Sequence, residues 1–275
     1  MILGVRAHDF GRQDEDTLSK SIKSAGFDTV QLALTKAIAG IESFEQVTPQ
    51  RLESVRRSFE DHGVDIAVLG CYIEPGLADA EQRRRQVDDF LLGLEHAKAL
   101  GAPRVGTETT GFPMPMETAY EAQREAVYQR LKDSVLRMVE KAEKLGIEVA
   151  IEPVAQHTLN TAELTRRLLD EVQSSQLKII FDPVNMLTEQ NARSQEILYD
   201  TFFRLLGKEI VALHVKDIVF ENDQKIWRNI GKGIVAFGPL FTWLRTHKPD
   251  LPVLREGVEM DSYALDLDAI RKLVL

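Results

Sequence analysis

Apolar residues along this chain follow two rhythms. Short continuous runs, such as Val149-Ala150-Ile151, Ile179-Ile180-Phe181, Ile210-Val211-Ala212-Leu213 and Pro252-Val253-Leu254-Arg255, are rich in β-branched residues and bounded by turn residues or helical patterns. Each reads as a buried strand. Between them lie longer stretches with a helical period; in the first, Leu18, Ile22 and Ala25 share one face and Gly26 is the stop. In chain order the pattern predicts a strand over 2–7 leading to His8-Asp9, a helix over 16–25, a strand over 29–32, and a helix from Thr48-Pro49, N-cap and first helical position, to His62-Gly63. A strand over 66–69, a charged helix over 79–100 and a short strand over 104–107 ahead of Glu108 follow. Residues 109–117, with Gly111, Pro113 and Pro115, read either as a cover over a barrel mouth or as a surface loop.

The second half repeats the unit. A helix over 118–145 precedes a fifth strand ending in Glu152, and a helix over 161–172 precedes a sixth ending in Asp182. A helix over 193–206 precedes a seventh ending in His214. Residues 220–230 read as a polar excursion, 237–245 as a helix, 252–255 as an eighth strand ending in Glu256, and 265–275 as the closing helix. Continuous apolar strands imply a parallel sheet covered on both faces. Eight strand–helix units, with no linker or repeat, predict one α/β domain over 1–275, a closed (β/α)8 TIM barrel, and 275 residues suit the roughly 250 such a barrel needs.

Composition narrows the function. A formal charge of -9 argues against a nucleic-acid partner, which needs a basic stripe. The single cysteine, Cys71, excludes a disulfide framework and suggests a reducing compartment. No signal peptide is expected from the start Met1-Ile2-Leu3-Gly4-Val5-Arg6, and no apolar run reaches the roughly 18 residues of a membrane span, so a cytoplasmic protein without a membrane partner is expected. A homo-oligomer is compatible with all of this.

The strand ends carry the chemistry. Glu152, Asp182, His214 and Glu256 recur at intervals of 30, 32 and 42 residues, about the length of a strand, a helix and two loops. Successive parallel strands would place all four at one end of the sheet. One acidic residue after a strand means little in a chain with 43 of them, but four in register are hard to produce by chance. Mostly hard oxygen donors suit a divalent metal, Mn²⁺ first, with Mg²⁺, Co²⁺ or Zn²⁺ as alternatives. A metal chelating a carbonyl and its neighbouring hydroxyl acidifies the proton between them, and Glu152 and Glu256 are candidates to remove and return it. The anionic site favours a neutral sugar or polyol substrate. His8, Glu108 and His157 are candidate substrate contacts at strand ends or the loops after them. His62 and His96 fall in helical patterns and read as packing residues. Trp227 and Phe112 could wall a sugar pocket, and Gly231-Lys232-Gly233 reads as a turn.

Glu152-Pro153, Phe181-Asp182-Pro183-Val184-Asn185, Leu213-His214-Val215-Lys216-Asp217, Gly231-Lys232-Gly233 and Arg255-Glu256 stand in one order along the chain. In this the chain resembles the sugar phosphate isomerase/epimerase superfamily of xylose isomerase-like TIM barrels. That group includes ketose 3-epimerases, hydroxypyruvate isomerases, inosose isomerases and dehydratases, and endonuclease IV. The resemblance implies metal ligation by Glu152, Asp182, His214 and Glu256, with both glutamates doubling as the acid/base pair. It departs from the 3-epimerases at Thr158, where they carry a glutamate, at Asn185, where they carry a histidine, and at Lys216-Asp217, where an arginine follows shortly. Asn185, Lys216 and Asp217 are therefore the substrate contacts expected to differ. The resemblance implies a metal-dependent isomerase or epimerase of a ketose, inosose or related sugar, with a lyase of the inosose dehydratase type as the alternative. An endonuclease IV-like nuclease fits poorly with six histidines, most of them away from strand ends.

Overall fold

The computed structural model describes residues 1–111, 118–222, 224–257 and 262–274. The expectations for Phe112 and for most of the loop around it lie outside these residues. The chain forms β1 (Ile2–Arg6), α1 (Glu15–Ser24), β2 (Thr29–Leu32), α2 (Leu34–Ala37), α3 (Pro49–Asp61), β3 (Asp65–Gly70), α4 (Ala80–Leu100), β4 (Arg104–Glu108), α5 (Thr118–Leu145), β5 (Glu148–Glu152) and α6 (Ala162–Val172). It continues through β6 (Leu177–Phe181), α7 (Pro183–Met186), α8 (Gln195–Leu206), β7 (Ile210–Val215), β8 (Asp217–Glu221), β9 (Gln224–Arg228), α9 (Phe237–His247), β10 (Pro252–Arg255) and α10 (Tyr263–Val274). Eight strands close a barrel in the order β1, β10, β7, β6, β5, β4, β3, β2, and every neighbouring pair is parallel.

Local chemistry sets the helix ends. Asp14, Thr48, Asp79 and Thr161 accept hydrogen bonds from backbone N–H groups of the first turns of α1, α3, α4 and α6, which those turns cannot satisfy themselves. Most apolar burial lies between the sheet and the helices, where Phe27, Phe59, Phe90, Tyr128, Phe181 and Phe202 are fully buried. Ala67, Val68, Ala150, Ile180, Ala212 and Leu254 form a separate small cluster. Space there is tight: a Cβ on Gly106 would lie 2.8 Å from both Ile180 Cδ1 and Val68 Cγ1. No helix among the described residues is long and apolar enough to cross a membrane.

One element differs from expectation. The polar excursion at 220–230 is an antiparallel hairpin, β8–β9, which begins at Asp217 immediately after the barrel strand. The eighth barrel strand is therefore the tenth strand of the chain. Both arms are five residues long and half-exposed, so they lack the clean alternation that marks a strand in sequence. At the hairpin's end Asn222 takes a positive φ of 51°, which asparagine tolerates better than most residues.

Gly106→Val should destabilise the barrel by about 1–3 kcal/mol through overpacking. The urea midpoint measures it, and an unchanged midpoint would show that Ile180 and Val68 have room to retreat.

Candidate metal centre

Each of the four expected ligands is delivered by the end of a barrel strand. Glu152 closes β5, Asp182 follows β6, His214 lies near the end of β7 and Glu256 follows β10. All four are buried. They converge on one atom: His214 Nδ1 lies 3.2 Å from Glu256 Oε1, 3.3 Å from Glu152 Oε2 and 3.9 Å from Asp182 Oδ2. Ligand atoms of Glu152, Asp182 and His214 all fall within 4.8 Å of one another. With metal–ligand bonds near 2.1 Å, adjacent donors around a divalent ion sit about 3.0–3.4 Å apart, which the two shorter distances match.

The hydrogen bonds of the site point the same way. His214 Nε2 donates to Gln31 Oε1 at 2.8 Å, and Gln31 in turn donates from Nε2 to the Tyr72 hydroxyl at 2.7 Å. An amide oxygen at Nε2 fixes one proton there, so Nδ1 is the nitrogen that turns towards the carboxylates and would give up its proton to a bound cation. His214 Nδ1 is buried and has no hydrogen-bond partner among the described residues, and Asp182 Oδ2 meets only the ammonium of Lys216. An imidazole nitrogen facing three carboxylates is a donor set that fits a divalent cation.

Other residues hold the carboxylates. Asp182 Oδ1 accepts from the Asn185 backbone N–H at 3.0 Å, and Asn185 Nδ2 donates to Glu152 Oε1 at 2.5 Å. Lys216 Nζ lies 2.9 Å from Glu256 Oε2 and 2.5 Å from Asp182 Oδ2, the latter an ion-pair contact without hydrogen-bond directionality. Arg6 Nη1 approaches Glu256 Oε2 at 3.7 Å. Burial alone would raise the Glu256 carboxyl pKa, but His214, Lys216 and Arg6 hold it well below the usual range. Asp182 is pushed up, by burial and by Glu152 and Glu256, against the pull of Lys216. Burial would lower the His214 pKa, yet Glu256 and Glu152 raise it to about 9, so the pocket attracts positive charge strongly.

Above the centre opens a cavity of about 440 Å³, lined in part by Arg6, His8, Glu108, His157, Asn185, Lys216, Trp227 and Glu256. His8 stands in a single helical turn after β1, its pKa lowered to about 4 by burial and by Arg6, so it is neutral at physiological pH. Glu108 pairs in register with Glu152, and its carboxylate lies 3.5 Å from His157 Nδ1. Burial, then Glu152 and Glu256, raise Glu108 to about 7. Trp227 comes from the hairpin, and Lys216 Nζ sits 5.3 Å from its ring centroid.

Asp217 goes elsewhere. Its Oδ1 accepts from the N–H groups of Ile218 and Val235 at 2.9 and 3.1 Å, and its Oδ2 from those of Gly231 and Gly233 at 2.9 and 2.8 Å. With both oxygens committed to four backbone amides, the expected substrate contact is instead the clamp of the Gly231-Lys232-Gly233 turn. A side chain at Gly233 would collide with it, its Cβ falling 2.1 Å from Asp217 Oδ1. His96 stacks on Phe44 at 5.6 Å and His62 bonds Ser19 at 2.9 Å, both away from the centre as expected.

A family model described as xylose isomerase-like TIM barrel matches residues 20–272. The chain belongs to that family. Solved structures with the same barrel include a D-psicose 3-epimerase in the presence of D-fructose, at 18% identity and a TM-score of 0.75 over 100% of this chain and 99% of that one. The 3-keto-D-glucoside 4-epimerase YcjR from E. coli matches at 19% identity and 0.75 over 99% and 98%, and an IOLI protein with a binding zinc atom at 17% and 0.75 over 100% and 98%. No curated protein sequence matches the chain.

Within this xylose isomerase-like barrel, sequence reasoning missed Gln31, Tyr72 and Arg6. Gln31 and Arg6 lie on the first two strands, whose ends carry no ligand motif, and Tyr72 follows the third; an amide between Val30 and Leu32 in a short buried strand was the available signal. Gln31→Leu should weaken Mn²⁺ affinity by roughly 10–100-fold, because the imidazole loses its orienting acceptor. Calorimetric titration with Mn²⁺ checks it, and wild-type affinity would show that Gln31 plays no part.

Proposed function

We propose that this barrel is a divalent-metal-dependent isomerase or epimerase of a ketose, inosose or related sugar, working by proton transfer at the carbon beside a carbonyl. The observation that carries this reading is the convergence of Glu152, Asp182, His214 and Glu256 on one orphaned imidazole nitrogen beneath a sugar-sized cavity. The ion, Mn²⁺ in our reading, would polarise a sugar carbonyl and its adjacent hydroxyl and so acidify the intervening C–H. Glu152 and Glu256 come from strands separated in the barrel by β6 and β7. A substrate carbon between them can lose its proton to one carboxylate and regain one from the other, which inverts the centre or moves the carbonyl. Asn185 restrains Glu152 through one oxygen, so that carboxylate keeps a fixed aim. His8, neutral, and His157 offer hydrogen bonds to hydroxyls further out. The similar barrels named above, a D-psicose 3-epimerase and a 3-keto-D-glucoside 4-epimerase, agree with this reading.

Glu108 favours a second reading. Its carboxyl lines the cavity beside His157, 3.5 Å from Nδ1, where it could protonate a departing hydroxyl. That is the added step of an inosose dehydratase-type lyase. Product analysis with a panel of ketoses and inososes in the presence of Mn²⁺ separates the two; no turnover across the panel would defeat both.

If the glutamates move protons, Glu152→Gln and Glu256→Gln should lower turnover on the order of 10²–10⁴-fold even with metal saturated. Asp182→Asn should recover substantially with excess metal. Reaction in D₂O should place deuterium on the carbon next to the carbonyl. Unlabelled product together with metal-rescued glutamine variants would leave the glutamates as ligands alone.

Chelation should abolish activity and lower the melting temperature, because a bound ion stabilises only the folded chain and its removal leaves three carboxylates facing one another. Identical melting curves in EDTA and in excess Mn²⁺ would contradict a bound-metal site.

A further inference from the structure

We propose that Lys216 is a tethered counter-cation that competes with the divalent ion for Asp182 and Glu256, and thereby sets how tightly the centre holds its metal. The inference rests on the metal reading above and adds a control to the same site. Residues two apart on a strand share a face, so the end of β7 aims His214 and Lys216 at the same carboxylates. The Lys216 ammonium is buried, 2.5 Å from Asp182 Oδ2 and 2.9 Å from Glu256 Oε2.

The oxygen it takes is the one a metal needs. Asp182 Oδ1 already accepts the Asn185 N–H that caps α7. Oδ2 is therefore the oxygen left for an ion, and it is the one facing His214 Nδ1. A divalent cation and an ammonium sharing one carboxylate oxygen, away from solvent, repel each other strongly. One must give way, and the flexible side chain is the one that can. The Trp227 ring, its centroid 5.3 Å from Nζ, offers the displaced ammonium an aromatic face at the cavity wall.

The test is Mn²⁺ titration by calorimetry on wild type and Lys216→Met, which keeps the length of the chain and removes its charge. The methionine variant should bind Mn²⁺ on the order of tenfold more tightly or better. Equal or weaker binding by the variant, with wild type still binding, would overturn the inference and leave the metal reading intact. Absence of Mn²⁺ binding by both proteins would overturn the metal reading and this inference together. Should the variant fail to fold, the wild type alone decides. Acetylation of Lys216, followed by mass spectrometry, should speed up several-fold on saturation with Mn²⁺ as the ammonium leaves Asp182. An unchanged or slower rate would defeat the competition.

Discussion

Three buried carboxylates crowded around one imidazole nitrogen are the constraint on which the rest of this structure depends. Like charges brought together out of water repel and lose their hydration, and the cost is met only by positive charge and by donors held in place. The compensating groups arrive from several parts of the barrel: the imidazole from β7, the ammonium from the residue just after it, a guanidinium from β1, an amide from the turn after β6. A closed parallel barrel suits this task because every strand ends at the same rim, so groups far apart in sequence meet without a long loop.

Around that centre the chain separates acids that face the cavity from acids that hold the scaffold. Asp217 ties a turn together. Asp266, fully buried, accepts from Arg255 at 2.8 Å and from the Ile230 N–H at 2.7 Å, which links α10, the strand end before Glu256 and the end of the hairpin segment. Such groups are as buried as the ligands, yet their oxygens are spent on nearby donors. What sets His214 apart is the opposite condition, a ring nitrogen in the interior that faces carboxylates without a hydrogen bond.

The sequence made most of the barrel legible because its signals are local. Continuous apolar runs fix the eight strands, and caps such as Thr48, Asp79 and Thr161 fix helix starts to within a residue. The hairpin escaped because short, half-exposed arms carry little periodicity. The four candidate ligands stood out through their register at strand ends, and the structure brings their side chains together. The amide behind His214 was not, since Gln31 lies 183 residues away and nothing local distinguishes a polar strand residue that orients a ligand from one that merely packs. Asp217 misled for a related reason: its neighbour Lys216 faces the site, while three of its own four partners come from 14 to 18 residues downstream.

The clamp at Asp217 has a bearing on how such a protein can diversify. One side chain closes the base of the segment that leaves the barrel after Lys216 and returns at Val235. Residues between those points, Trp227 among them, form a detachable cassette whose tip can lengthen, shorten or change character while both ends stay anchored. The roof of the cavity can thus be rewritten without moving the strand that carries His214, so that a different pocket wall arises over an unaltered barrel rim.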